Sequence, residues 1–267
     1  MSIYLVALAA ILMVGALAWV GSVLSGKVSF VDVLWSLFFL LAASLFAWNA
    51  AELSARGLLV LVLVAVWAVR LALHIGIRNW GEPEDHRYET IRKNNEPGFV
   101  VKSLYIVFGL QGVLAWIIAA PLLPAIAGSA AGAALGPLDV VALAIWIVGF
   151  TFEALGDYQL QRFRADPANK GKVLDTGLWR YTRHPNYFGE FCIWWSFWLF
   201  AVAAGAWWTI FSPLLISFLL LRVSGVAMLE KTISTRRPEY AAYLESTNAF
   251  FPGPPRRRMA ATAEGNE

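Results

Sequence analysis

Only 15% of the 267 residues carry a formal charge, against ~25% in an average soluble domain. There is one cysteine, Cys192, so an intrachain disulfide scaffold is excluded. The three histidines, His74, His86 and His184, form no pair at zinc-ligand spacing with a cysteine, so no metal is expected. No GxGxxG follows a strand pattern, which removes a Rossmann nucleotide site. No internal repeat is visible, which counts against a transporter built from inverted halves. The net charge of +3 gives no reason to expect a nucleic acid as partner. What the chain has in abundance is apolar surface: 59% hydrophobic residues and a mean hydropathy of +0.61. A soluble globule cannot hide that much, because roughly half of its surface stays wet. The composition is that of an all-α, polytopic integral membrane protein.

About 20 apolar residues span a bilayer as a helix. Seven such runs are read, at 3–25, 29–49, 57–77, 103–123, 138–155, 187–204 and 207–229. The first lacks a basic leading region and is too long for a signal peptide, so it is expected to be retained. The last two are expected to form a tight hairpin. All of the 21 Lys and Arg except Arg56, Arg70 and Arg222 fall in the 1–2, 3–4 and 5–6 loops or after the last run. The positive-inside rule then puts the C-terminus in the cytoplasm and the N-terminus outside. One domain over 1–252 and a disordered cytoplasmic tail over 253–267 are expected, with the tail arginines available to anionic headgroups. An Ala/Gly connector is expected between runs 4 and 5.

Two loops on the basic side are far longer than connectors need to be. Loop 3–4 reads RNWGEPEDHRYETIRKNNEPG. In loop 5–6, GLWRYTRHPNYFGE packs Arg180, Tyr181, Arg183, His184, Asn186, Tyr187 and Glu190 into one stretch that enters a span. Arginines fit phosphate through planar bidentate contacts. Asn and Glu can hydrogen-bond an amide or a ribose, and aromatic rings offer stacking faces. That set suits an anionic, ribose-bearing cofactor, although a charged cluster at a helix end can also simply anchor the helix at the headgroups. Inside the spans lie Asp32, Arg70, Glu153 and Arg222, with Glu190 and Glu230 near span ends. Each costs at least ~2.5 kcal/mol in lipid unless it faces protein or water, so each is a functional candidate or half of a structural ion pair.

Three segments of the C-terminal half, FEALGDYQLQRFR (152–164), GLWRYTRHPNYFGE (177–190) and LEKTISTRRPEYAAYLESTNAFFP (229–252), resemble in order and spacing the membrane steroid 5-alpha-reductases and their bacterial relatives. RNWGEPEDHRYETIR (78–92) is similar to the bacterial branch. The resemblance implies seven transmembrane helices around a cavity holding NADPH. It carries over Asp157, Arg164, Asn186 and Glu190 as cofactor ligands, with Arg236 and Tyr240 from the last segment. Glu153 stands where the mammalian enzymes have Asn. Arg183, His184 and Tyr187 complete the set of cofactor-binding candidates. The implied reaction reduces a carbon–carbon double bond conjugated to a ketone, in a lipophilic, steroid-like substrate. Asp32 occupies the family's acid position and is expected to be a protonated carboxylic acid that donates to the carbonyl. The family's tyrosine aligns near Trp67 or Ala68, which cannot serve, so Tyr88 is assigned in its place.

A second reading is an intramembrane S-adenosylmethionine-dependent methyltransferase of the isoprenylcysteine or phospholipid type, which shares RHPxYxG. Such enzymes carry a Glu-Glu pair after the hairpin, where this chain reads Leu229, Glu230, Lys231. A third is a lipid-binding or channel-like protein, against which the polar density of loop 5–6 argues. The reductase reading implies a monomer in a bacterial inner membrane, in contact with membrane lipid.

Overall fold

The structure, a computed structural model, describes residues 2–128, 134–223 and 239–256, and among these every regular element is a helix. In chain order they are α1 (Ile3–Ser25), α2 (Val31–Asn49), α3 (Ala55–Asn79), α4 (His86–Asn95), α5 (Phe99–Ile118), α6 (Leu122–Ala127), α7 (Pro137–Ala165), α8 (Pro185–Ala203), α9 (Trp207–Val223) and α10 (Glu239–Ser246). Five of them, α1, α2, α3, α5 and α7, are long and apolar enough to cross a membrane. Of the seven expected spans, five qualify by length and apolarity among the described residues. The run 187–204 does form a helix, α8, but Asn186, Glu190, Tyr187 and three Trp, which carry polar handles, dilute its Phe, Ile, Leu and Val. α9 is shorter than a full span, and the rest of the run to 229 lies outside the described residues, as do Glu230 and Arg236.

Helix ends follow local chemistry. Gly26, at φ +72°, closes α1 in the left-handed conformation that glycine adopts without penalty. The Ser54 hydroxyl accepts the Gly57 N–H at 3.1 Å and caps α3. Asp85 caps α4 by accepting the Arg87 N–H at 2.9 Å. Within α5, residues Leu104–Gly109 form a wide π-helical turn, and the Leu110 N–H reaches back to the Tyr105 carbonyl.

The chain divides into two compact units. The first comprises Met1–Ala142 and Phe197–Ser212. Here α2 packs between α1 and α3, α5 lies against α1 and α2, and the short α6 tucks against α2 and α3. Phe38, Phe39, Phe46 and Trp67 are fully buried at its centre. Tyr4 and Trp116 bond reciprocally: the phenol donates to the Trp116 carbonyl at 2.9 Å, and the indole to the Tyr4 carbonyl at 2.8 Å. Arg56, at the start of α3, makes a buried bidentate pair with Asp139, Nε to Oδ1 at 2.6 Å and Nη2 to Oδ2 at 2.9 Å. The expected tight turn between the last two runs is present: Gly205 and Ala206 donate back to Val202 and Ala201.

The second unit comprises Leu143–Ser196 and Pro213–Glu267. In it α7 and α8 cross closely at glycines. A Cβ on Gly189 would lie 2.5 Å from both the Gly149 carbonyl oxygen and the Glu153 nitrogen. Small residues permit such backbone approach between membrane helices. The C-terminal stretch is laced to the loop before α8: Thr182 Oγ1 donates to the Phe250 carbonyl, Arg183 N–H to Asn248 and Gly253 N–H to Tyr181. These contacts reach Gly253 and Arg256, whose N–H bonds the Ser246 carbonyl. The remainder of the expected tail, 257–267, lies outside the described residues.

Candidate active site

Asp32 stands in the first turn of α2, just after a turn held by another acid. The Glu84 carboxylate accepts the N–H groups of Val28 at 2.8 Å and Ser29 at 2.9 Å. Arg92 supports that contact: its Nη2 donates to the Gly26 carbonyl at 3.0 Å and lies 3.6 Å from Glu84. Two backbone donors in the turn before α2 are thereby satisfied from a distant loop. The same clamp brings α4 over the start of α2.

The result is a polar cluster around Tyr88. Its hydroxyl donates to Asp32 Oδ1 at 2.6 Å and accepts from Gln111 Nε2 at 3.0 Å. Asp32 Oδ2 accepts from Arg87 Nη2 at 2.7 Å, and the same guanidinium bonds both oxygens of Asp85. The Tyr88 ring is buried among Val28, Val31, Phe99, Val107 and Phe108. Burial, reinforced by the negative charge of Asp32, pushes the Tyr88 pKa well above its ordinary value. The phenol therefore keeps its proton. Burial alone would lower the Arg87 pKa, but the hydrogen bond to Asp85 and the charge of Asp32 outweigh it and raise it. Asp85 is held below the ordinary carboxylate value: burial opposes this, and the hydrogen bonds from Arg87 overcome it.

Sequence reasoning assigned Asp32 and Tyr88 separately, and the structure brings them into direct contact. Asp32 is ion-paired with Arg87 and accepts from the phenol. Trp67 and Ala68 belong to the packing: Trp67 is buried against Phe39, and the Ala68 carbonyl accepts from Ser36. Gln111, Arg87 and Glu84 were missed. Gln111 left a signal, an amide inside an otherwise apolar run.

The nucleotide-side candidates sit in the second unit. Glu153 and Asp157, one turn apart on α7, are both buried. Asn186, at the start of α8, donates its amide to Asp157 Oδ1 at 3.1 Å. Its own carbonyl oxygen accepts the Tyr187 N–H at 3.1 Å. His184 is buried and stacks on Tyr187, ring centroids 5.6 Å apart. Glu190 is half-buried one turn further along α8. Arg164 lies exposed in the last turn of α7. Arg183 departs from expectation: its Nη1 donates to the carbonyls of Leu244 at 3.0 Å and Thr247 at 2.8 Å. That guanidinium braces the end of α10. Tyr240 is buried against Tyr243 within α10.

The family described as "Protein of unknown function (DUF1295)" matches residues 18–247. An uncharacterized protein of the fission yeast Schizosaccharomyces pombe, C594.04c, is 29% identical over 276 residues, covering 89% of this chain and 76% of that protein. No solved structure matches the chain.

Proposed function

The chain belongs to the DUF1295 family, and on that footing we propose that it is an NADPH-dependent membrane reductase. Its reaction is reduction of a carbon–carbon double bond conjugated to a ketone, in a lipophilic, steroid-like substrate. The observation that carries the reading is the Tyr88–Asp32 hydrogen bond at 2.6 Å. A tyrosine and an acid are the two groups that polarise an enone carbonyl in the resembling enzymes, and here they meet from segments distant in sequence.

Tyr88 keeps one O–H proton, given to Asp32 in the structure; on substrate binding that O–H turns from Asp32 to the carbonyl oxygen. Negative charge that develops on that oxygen is stabilised by a positioned donor in a dry setting. Gln111 and Asp32 fix the hydroxyl, one donating to it and one accepting from it. Arg87, itself exposed, balances the charge of Asp32 at 2.7 Å. When bound, NADPH would supply the hydride to the β-carbon, with water supplying the proton at the α-carbon.

The donor set of the second unit suits a dinucleotide in part. Buried Glu153 and Asp157 with Asn186 offer acceptors and an amide to ribose hydroxyls and a carboxamide. Arg164 is the cation placed for a phosphate. Arg183, committed to backbone carbonyls, is left out of that role. α8 and α9 complete seven spans in this reading, with the N-terminus outside and the C-terminus cytoplasmic in a bacterial inner membrane. The protein acts there as a monomer.

The test is cofactor binding to purified full-length protein, by thermal shift with NADPH, NADH and S-adenosylmethionine, followed by NADPH oxidation with a 3-keto-4-ene steroid. NADPH stabilisation and enone-dependent oxidation are expected. Stabilisation by S-adenosylmethionine alone would replace the reading with a methyltransferase.

A further inference from the structure

The second unit holds a polar pocket of about 400 Å³ that plays no part in the reductase reading. Its walls come from two segments far apart in sequence. Thr176 and Arg180 flank a short helical turn before α8. Ser246, Thr247 and Arg256 belong to the end of α10 and the chain that follows it.

Both walls are held by hydrogen bonds. Leu178 N–H donates to Gln159 Oε1 at 3.0 Å, and the Trp179 indole donates to the Gly156 carbonyl at 3.1 Å. The Tyr243 hydroxyl closes on the Trp179 carbonyl. On the other side, Arg256 N–H bonds the Ser246 carbonyl at 2.8 Å. The turn at Gly177 has φ +60°, a backbone that other residues adopt only under strain. Arg180 and Arg256 both line this pocket, and both are exposed. Among the described residues, neither guanidinium forms an ion pair or a side-chain hydrogen bond. Asp175 shares the rim but has an interaction of its own.

We propose that this pocket binds a phosphate ester, gripped by the Arg180 and Arg256 guanidiniums with the hydroxyls of Thr176 and Thr247 at its edge. Two arginines lining one polar pocket can offer planar forks to phosphate oxygens. The Ser246 hydroxyl is already spent on the Ala242 carbonyl. The ester comes either from a lipid headgroup or from a soluble molecule, and the chemistry is shared.

The experiment uses full-length protein in two arms. In detergent, thermal stability is titrated with pyrophosphate against sodium chloride of equal ionic strength. In nanodiscs, phosphatidylcholine alone is compared with phosphatidylcholine containing phosphatidic acid. Saturable stabilisation beyond the salt control is expected in at least one arm. Arg180→Gln and Arg256→Gln should each weaken it about tenfold to a hundredfold, the usual worth of a charge-assisted hydrogen bond, and the double variant should abolish it. Arg180→Lys should retain part of it, as a point charge without the fork. Pyrophosphate response assigns a soluble ester; response to phosphatidic acid alone assigns a headgroup. A shift no larger than the salt control in both arms overturns the proposal, as does an undiminished response in the double variant.

Discussion

Tyr88→Phe removes one oxygen and keeps the ring that packs among Val28, Phe99 and Phe108. Two hydrogen bonds go with it, one to the Asp32 carboxylate at 2.6 Å and one from Gln111 at 3.0 Å. Asp32 keeps Arg87 at 2.7 Å, so no bare charge is left behind. A hydrogen bond to a charged group is worth about 1.5–3 kcal/mol, and that sets the expected loss of stability. Turnover should fall further, by a factor of about 10² to 10³, as when one donor to a developing oxyanion is deleted. NADPH affinity should hardly move. Enone-dependent NADPH oxidation and thermal unfolding, on the same preparations, give both numbers. The sign of the pH effect follows from the raised pKa. The folded state keeps the phenol protonated where the unfolded chain, with its ordinary value of 10.0, begins to ionise. Stability from this group is complete below about pH 10 and declines as pH rises beyond it. Tyr88→Phe should lose that alkaline decline. Near-normal turnover in Tyr88→Phe would refute the assignment of the proton to Tyr88.

Other consequences are equally concrete. Turnover should fall in the order wild type, Asp32→Asn, Asp32→Leu, because Asn still fixes the phenol and Leu cannot; equal rates in the two variants would remove Asp32 from the mechanism. Breaking the buried Arg56–Asp139 pair by Arg56→Met should cost about 3–5 kcal/mol in thermal unfolding, and adding Asp139→Leu should restore much of it; no rescue would mean the charges are not what matters there. Gly189→Ala should destabilise by at least ~1–3 kcal/mol, since its Cβ meets two backbone atoms at 2.5 Å. Reporter fusions after residues 95, 175 and 260 should read cytoplasmic, and one after residue 130 external; a cytoplasmic signal at 130 would reverse the topology.

Hydropathy made the long helices legible, because α1, α2 and α3 are apolar over nearly their whole length and end within two residues of the expected runs. The π-helical α5 is displaced by a few residues, and α7 runs well past the expected end at 155, to Ala165. Its polar extension carries Asp157 and Arg164 on continuous helix. A hydropathy window stops where charge begins, although backbone hydrogen bonds do not. The short α4 was invisible for the opposite reason: it has no apolar face long enough to show a period, and its cap, Asp85, lay among other acids. Asp32 was legible as an acid in an apolar segment. Its partner Arg87 was not, since one arginine in a basic loop carries no mark of what it faces.

The Glu84 contact has a consequence for how this protein is made. Val28 and Ser29 lie in the turn after α1, while Glu84 emerges only after α3. The hydrogen bonds place the turn before α2 and the loop after α3 on one side of the α2–α3 hairpin. A nascent chain that has delivered α1 and α2 must leave those two N–H groups to water until α3 has crossed. Assembly of the Tyr88 cluster therefore waits for the hairpin to finish. A chain arrested before residue 80 would hold Asp32 at the membrane surface without either of its partners.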